Sequence, residues 1–587
     1  MDELNATPTE NTLSLRLGDF STLAEALDYA AAGQTGFNFY SGRGELACVL
    51  SYTLLRTQAR ILAGKLLSLG LPRGSHFALI AETDAEFVRF FFACQYAGLV
   101  PVPLPAALHL GGHQAIVEKM RGLLAACGAS AAMATLPFFD FLSEAAGRLQ
   151  ITHVGCPDDF DRLPESAAIL CPLGPTETAY LQYTSGSTRF PRGVVINQQT
   201  VMANLAGITE HGLCVRPGDR CTSWLPFYHD MGLVGFLLAP LVSQLSVDYL
   251  NTRDFAVRPR LWPALISRNR STISYSPTFG YALCARRMRP ADIAQYDLSS
   301  WRIAGTGAEP IRPDVLEGFA EVFAAAGFRS QAFVASYGMA ECSLAISFAP
   351  LNRGLELDRI KSEDLVEKAL AVSALSDSTD PNIKDMVFCG RVLPGHELEV
   401  RDGQGRALPE RHCGVLFVRG PSVMSGYLND PQATAEVLSC DGWLNTGDLG
   451  YLVDGQVVVT GRQKDLIIIN GRNIWPQDLE VLAEELPGIR LRDAAAFSVP
   501  GVEGEETVVL VVQFRYSGET ERILLIDSLR RRVREEFGFD CFVELVPPRT
   551  LPQTSSGKLS RTAARKSFLE RQHQAPTFAL PLQQTGS

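Results

Sequence analysis

Between residues 84 and 97, Phe87, Phe90, Phe91 and Cys94 recur at helical spacing. Gly98 closes the run, and the extended Val100-Pro101-Val102-Pro103 follows. From about residue 50 to residue 250 the chain repeats this exchange of amphipathic helix and short apolar strand. Strands that are apolar throughout must be covered on both faces, so the pattern predicts an α/β core on buried parallel strands. After about residue 385 the texture changes. Glu397-Leu398-Glu399-Val400 runs into Asp402-Gly403, and Tyr451-Leu452-Val453 runs into Asp454-Gly455 and then Val457-Val458-Val459-Thr460. An Asp-Gly pair tolerates the two positive φ values of a type I′ hairpin, so a small β-rich subdomain is expected to close the large domain. Beyond Arg462 a compact α+β pattern follows, with a helix over Pro476 to Glu485, a strand over Val508 to Phe514 and a charged helix over Glu521 to Phe537.

A chain of 587 residues exceeds what one hydrophobic core normally fills, so more than one domain is predicted. The net charge of −11 has the wrong sign for a duplex nucleic-acid binder, which must neutralise phosphates. Arg530-Arg531-Arg532 is followed within a turn by Glu535 and Glu536, and reads as a solvated helix face. Thirteen scattered cysteines without a C-x-x-C pair argue against a disulfide or zinc scaffold and for a reducing cytoplasm. Residues 1–12 are polar and carry acids, unlike a secretory leader, and apolar stretches such as 234–242 break well before a membrane span. A soluble cytoplasmic protein is expected.

The most informative stretch is Tyr183-Thr-Ser-Gly-Ser-Thr-Arg-Phe-Pro-Arg-Gly-Val194. Thr184, Ser185, Gly186, Ser187 and Thr188 offer hydroxyl and backbone N–H groups that could wrap a polyanion, and Arg189 and Arg192 add positive charge. The loop follows an apparent strand, Ala179 to Gln182. Taken alone, such a run is also the composition of an ordinary polar turn. Neither the Walker nor the Rossmann glycine pattern occurs, which disfavours a P-loop kinase or a dehydrogenase.

The loop resembles the phosphate-binding signature of the adenylate-forming superfamily, which includes acyl-CoA synthetases, peptide-synthetase adenylation domains, luciferases and fatty acyl-AMP ligases. Six further signatures follow in the family's order: Trp224-Leu-Pro-Phe-Tyr-His-Asp-Met-Gly232, Gly307-Ala-Glu-Pro310, Tyr337-Gly-Met-Ala-Glu341, Thr446-Gly-Asp448, Gly461-Arg-Gln-Lys-Asp465 and Thr554-Ser-Ser-Gly-Lys558. The resemblance runs from about residue 20 to about residue 570. It implies a large α/β domain over 1–463, made of two parallel-type subdomains and a small β subdomain, with an insertion at about 355–384. It also implies a mobile α+β C-terminal domain over 464–575 and a disordered tail over 576–587.

The resemblance further implies ATP and Mg²⁺ as cofactors. Tyr337 would stack on adenine, with Gly307, Ala308, Glu309, Gly338 and Met339 around the nucleotide; alone, Tyr337 would read as a core residue. Asp448 would accept from the ribose hydroxyls, a task for which a carboxylate has two oxygens, and Arg462, in the hinge motif, would be a further cofactor-binding residue. Glu341 would hold Mg²⁺ at the triphosphate. His229 would face the acyl carboxylate. Lys558 would be the catalytic cation that offsets the charge built as carboxylate meets α-phosphate, and Lys464 would be the pivot about which the C-terminal domain turns.

Three features point to the acyl-AMP ligase branch. The phosphate loop reads Gly-Ser-Thr-Arg-Phe-Pro-Arg where CoA ligases generally have Gly-Thr-Thr-Gly-x-Pro-Lys; Arg192 replaces the common Lys but keeps a cation. The stretch Lys464-Asp-Leu-Ile-Ile-Ile-Asn-Gly-Arg-Asn-Ile-Trp-Pro-Gln-Asp478 is close to the acyl-AMP ligase pattern. The long gap between Glu341 and Cys389-Gly390-Arg391 holds the insertion, where Leu365, Ala369, Leu370 and Val372 show helical spacing. By this likeness a fatty acid would enter an apolar tunnel walled by Trp224 and Phe279. The acceptor would be the pantetheine thiol of an acyl carrier protein, or of a carrier domain in a lipid, polyketide or peptide synthase. The rival readings are a fatty acyl-CoA synthetase and a catalytically silent nucleotide-binding relative. The second is disfavoured because Lys558, Asp448, Glu341 and the full loop are all present.

Overall fold

A computed structural model of the chain describes residues 13–106, 112–184, 191–374, 380, 382–469, 472–500, 506–515, 518–554 and 557–574. The tail after residue 575 lies outside the described residues. Two sheets with parallel cores form the large domain. In the nine-stranded sheet, Phe333–Gly338, Ile303–Thr306, Ile273–Tyr275, Arg220–Ser223, Ser246–Leu250 and Gly36–Tyr40 run parallel, and antiparallel strands finish both edges. The second sheet aligns Val100–Pro105, His76–Ala81, Ala131–Met133 and His153–Gly155, all parallel.

The helix Ala85–Ala97 illustrates how local signals set these elements. Asp84 caps it by accepting from the Phe87 N–H, and Gly98 ends it at φ 71°. Phe87, Phe90, Phe91 and Cys94 are buried, but so are Phe92 and Tyr96. The helix lies between the helix Tyr52–Leu67 and the strands His76–Ala81 and Val100–Pro105, so no face remains for water.

The β subdomain orders Glu397–Arg401, Gly414–Arg419, Leu444–Val453 and Gln456–Arg462 as an antiparallel sheet. Asp454 (φ 49°) and Gly455 (φ 70°) turn its last hairpin, as a type I′ turn requires. This turn sets the register, which with one bulge puts Asp448 opposite Arg462. In the C-terminal region the helix Pro476–Glu484 and the helix Glu519–Phe537 flank a sheet of Ala494–Pro500, Glu506–Gln513 and Phe542–Val546. Leu529 and Val533 face the core here, while Arg532 reaches Glu485 at 2.6 Å, so the arginine run is a solvated helix face.

The stretch at 355–384 departs from its helical periodicity. Among its described residues only Ser362–Lys368 is helical, and Leu357–Lys361 pairs antiparallel with Ile383–Val387. Ala369 adopts φ 51° and ends the helix, so Leu370 and Val372 continue in extended chain. The element is nevertheless docked. Ile360, Leu365, Val366 and Met386 share one core with Ile474, Trp475 and Leu479 of the C-terminal region, and Lys384 reaches Asp478 at 2.5 Å. Among the described residues no helix is long and apolar enough to cross a membrane.

Candidate active site

Where the large domain meets the C-terminal region, a cleft of about 1160 Å³ opens. Its floor comes from the ends of parallel strands, where side chains from successive loops converge. The strand Phe333–Gly338 delivers Tyr337, whose hydroxyl donates to Asp448 Oδ2 at 2.8 Å. Arg462, opposite Asp448 in the hairpin, places Nε 3.0 Å from Oδ1. Asp448 is thus a carboxylate with 5 % exposure held between a phenol and a guanidinium. Burial above all, and then the charge of Asp448, pushes the Tyr337 phenol well above its usual range, so it stays a neutral donor.

Two close approaches shape the walls around Tyr337. A Cβ at Gly307 would lie 2.7 Å from the Ser336 carbonyl oxygen, and Ala308 turns away at φ 68°. A Cβ at Gly338 would lie 1.9 Å from the Leu344 carbonyl, which accepts from the Met339 N–H at 2.8 Å. Gly338→Ala is therefore expected to push the Tyr337 loop off its strand partner and weaken nucleotide binding by at least ~tenfold, a loss of about 1.4 kcal/mol. Isothermal titration with ATP checks this, and wild-type affinity would contradict it.

Glu341 follows in a short 3-10 turn, Ala340–Cys342. Its Oε1 accepts from the Tyr427 hydroxyl at 2.9 Å, and Arg192 lies 5.1 Å from the centre of that ring. Burial raises the Glu341 carboxyl against the pull of Tyr427 and Arg462. A buried carboxylate raised in this way gains from a cation beside it. Among the described residues no group of three or more His, Cys, Asp or Glu could hold a metal. A single carboxylate suits Mg²⁺ all the same, because that ion takes one or two carboxylates and fills its shell with phosphate and water.

The third group brings together residues 329 positions apart. On either side of Ser555 and Ser556, which lie outside the described residues, the N–H of Gly557 (φ 79°) donates to the Thr554 carbonyl at 2.9 Å and the Thr554 N–H donates to the Lys558 carbonyl at 2.7 Å. Lys558 Nζ then sits 3.4 Å from His229 Nε2, while His229 Nδ1 is 2.6 Å from Asp230 Oδ1. The ammonium can donate to Nε2, while the Met231 N–H lies 3.2 Å from Nδ1 and 2.7 Å from Asp230 Oδ1 and ties the two side chains together. Burial opposes ionisation of Asp230, but His229 and Lys558 outweigh it and hold its carboxyl below the ordinary range. Burial, with help from Arg462 and Arg492, lowers the Lys558 ammonium pKa.

Thr184 lines the cleft, and its N–H donates to the Arg192 carbonyl at 3.1 Å. Ser185, Gly186, Ser187, Thr188 and Arg189 lie outside the described residues. Glu309 accepts from the Phe279 N–H at 3.0 Å with one oxygen and from Arg492 with the other. Lys464 also lines the cleft, its pKa lowered by burial and then by Arg462.

Trp224 and Phe279 are not among the residues lining the cleft. Trp224 stacks on Phe255 at 3.9 Å and is buried in an aromatic cluster, and Phe279 lies under the Arg492 guanidinium at 3.8 Å. Apolar residues that do line the cleft include Ile208, Leu213, Phe236, Leu344 and Phe348. Two π-helical turns, Gly207–Gly212 and Val234–Leu238, carry Ile208 and Phe236 there. Such turns are uncommon and gather at functional sites. Without coordinates, nothing in the residue types marks these five positions, since each is an ordinary core residue.

A polar group at Tyr337, Asp448 and Arg462, apolar lining and Lys558 beside His229 bring together in one cleft the residues that the family resemblance singles out. Comparison with known proteins agrees. The chain belongs to the AMP-binding enzyme family, which matches residues 31–428, and is an adenylate-forming ligase. It is 49 % identical over 569 residues to a Caulobacter vibrioides protein provisionally named an acyl-CoA synthetase, covering 97 % of this chain and 98 % of the relative. It is 31 % identical to the medium-chain-fatty-acid–[acyl-carrier-protein] ligase JamA of Moorena producens, over 94 % of this chain and 96 % of that one. A solved structure from work on fatty acyl-adenylate ligases of E. coli and L. pneumophila superposes with a TM-score of 0.91 at 46 % identity, covering 96 % of this chain and 100 % of the other.

Proposed function

We propose that this ligase activates a fatty acid as its acyl-AMP and passes the acyl group to the pantetheine thiol of a carrier protein. The observation that carries the reading is the position of Lys558 Nζ, 3.4 Å from His229 Nε2 in the cleft that Tyr337, Asp448 and the apolar residues also line. The acyl chain lies along Ile208, Phe236 and Phe348 with its carboxylate toward His229, and Tyr337 and Asp448 hold adenosine. A carboxylate oxygen attacks the α-phosphorus of ATP, forming an O–P bond as the bond to the β-phosphate oxygen breaks and pyrophosphate leaves. Lys558 donates to the oxygens on which charge builds, and Asp230 orients His229 so that its Nε2 faces the lysine. Glu341 would hold Mg²⁺, which offsets phosphate charge when bound. In the second step a thiolate attacks the acyl carbon, the C–S bond forms and AMP departs. The C-terminal region, from about Lys464 onward, swings on that pivot between the two steps.

The names of JamA and of the fatty acyl-adenylate ligase structure support a fatty acid and a carrier protein. The docked 355–384 element supports an acceptor other than CoA, because it holds the C-terminal region in one pose. The competing reading, transfer to CoA, rests on the name of the Caulobacter relative. The test incubates the enzyme with ATP, Mg²⁺ and radiolabelled dodecanoic acid, with and without CoA, and separates products by thin-layer chromatography. Acyl-AMP that persists with CoA and is consumed by a phosphopantetheinylated carrier protein is the expected result. Conversion to acyl-CoA would replace it with the synthetase reading.

A further inference from the structure

Beside the cleft, the loop after Gly307 and the C-terminal region exchange charges in a crossed pattern. The loop offers Glu309 and then Arg312; the C-terminal region offers Glu484, at the end of the helix Pro476–Glu484, and Arg492. Arg312 Nη1 lies 3.2 Å from Glu484 Oε2, and Arg492 Nη2 meets Glu309. The two pairs are tied together on the C-terminal side, since Glu484 Oε1 accepts from the Arg492 N–H at 2.6 Å. Arg312 is steadied from the other side by Asp314 at 2.7 Å.

This interface is more than surface charge. Glu484 retains only 10 % of its side-chain exposure and Arg312 23 %. Burial pushes the Glu484 carboxyl up to about 7, against the pull of Arg312 and of the Arg492 N–H. An acid so placed is costly without its partner. Acid and base alternate on both sides, so a displaced C-terminal region would bring like charges together. The pattern leads directly to the reacting lysine: Arg492 Nη1 donates to the Gly557 carbonyl at 2.5 Å, one residue before Lys558, and its guanidinium lies over the Phe279 ring. Arg492 itself sits at φ 67°, a backbone conformation that the surrounding contacts must hold.

We infer that Arg312 and Glu484 are positioning residues for adenylation: with Glu309 and Arg492 they form a crossed ion-pair clamp that registers the C-terminal region on the large domain and so places Lys558 in the cleft. The inference rests on the proposed two-step cycle, in which these pairs exist in the first pose and part in the second. Loss of the clamp then slows acyl-AMP formation without slowing transfer from acyl-AMP already made. Neither residue touches the reacting atoms; each acts through Arg492 and the Gly557 turn.

The test uses the full chain with Arg312→Glu, Glu484→Arg and the charge-swapped double variant, each checked for wild-type circular dichroism. Pyrophosphate release reads the first step, and thioester formation from synthetic acyl-AMP reads the second. Each single reversal is expected to cut kcat for pyrophosphate release at least ~tenfold, and the double to recover at least ~threefold over either single, as coupled charges do. Transfer from acyl-AMP should stay at or above the wild-type rate. Additive losses in the double, or equal losses in both steps, would overturn the clamp. If the singles fold poorly, Arg312→Gln and Glu484→Gln give a milder version of the same comparison. Trypsin cleavage at the Arg462–Lys464 joint reads the pose without turnover: the singles should be cut faster than wild type and the double slower than the singles, and equal rates in all would also overturn it. Wild-type enzyme that releases no pyrophosphate with any fatty acid would sink the functional reading instead, leaving the cleavage comparison to judge the clamp.

Discussion

Lys558→Ala is expected to slow acyl-AMP formation by about 10²–10³-fold while ATP binding and folding remain close to wild type. The ammonium is aimed into the cleft by a turn whose hydrogen bonds are made by backbone and by Thr554, so removing the side chain leaves the turn standing. What is lost is a fixed cation where negative charge builds, and one such group removed from other enzymes costs about 3–4 kcal/mol. The same lysine sets a pH dependence. Burial lowers its pKa, so the ammonium is intact below that value and is lost as pH rises through it. The alkaline limb of pyrophosphate release should therefore fall earlier than a free lysine at 10.5 would allow, and Lys558→Ala should lack that limb. Wild-type turnover in the variant, or the same limb in both, would remove Lys558 from the mechanism.

The second large effect is expected where the 355–384 element meets the C-terminal region. Leu365 and Val366 are buried in a core that includes Ile474, Trp475 and Leu479. Leu365→Ala with Val366→Ala deletes apolar contact worth about 3–6 kcal/mol, drawn chiefly from that docking. Freed from it, the C-terminal region should reach the second pose more often, and CoA-dependent thioester formation should rise at least ~tenfold, since each 1.4 kcal/mol shifts a population by that factor. This pair of changes is preferable to excising the element, which would remove Ile360 as well, leave Met386 without its strand partner Asp358 and expose the core beneath. Unchanged CoA use with a measurable loss of stability would make the element a structural brace and nothing more.

Much of the site was legible because its signals are local. Asp454-Gly455 specifies a tight hairpin, and a hairpin with a known turn nearly determines which residues face one another. The pairing of Asp448 with Arg462 needs one thing more, a bulge between Leu449 and Gly450 that shifts the register by a residue; without it Asp448 would face Gly461. Asp84 and Gly98 bound their helix by the same kind of short-range chemistry. The turn before Lys558 needs a residue at positive φ, and glycine supplies it without steric cost.

The failures have a common cause. Trp224 and Phe279 were expected along an acyl tunnel because large aromatics line apolar cavities, but aromatics also fill cores. Only the positions of Phe255 and Arg492 decide which of the two occurs. The spacing of Leu365, Ala369, Leu370 and Val372 fits a helix, yet Ala369 leaves the helical region and the chain goes on through isolated bridges from Leu370 to His412 and from Ser373 to Ile360. Periodicity there reports burial against a distant core rather than the local conformation.

The sequence by itself determined the alternation that builds the parallel sheets and the Asp454-Gly455 hairpin, because these depend on side-chain period and turn chemistry within a few residues, and its resemblance to a family supplied the order of the motifs that hold Tyr337, Asp448 and Lys558. Tertiary structure alone decided the rest. It chose which apolar residues line the cleft, and it brought Arg312 to Glu484, Glu309 to Arg492 and Lys558 to His229 across 172, 183 and 329 positions of chain. Charges and apolar surfaces carry no address in the sequence, and they find their partners only when the packing of whole elements brings them within contact distance.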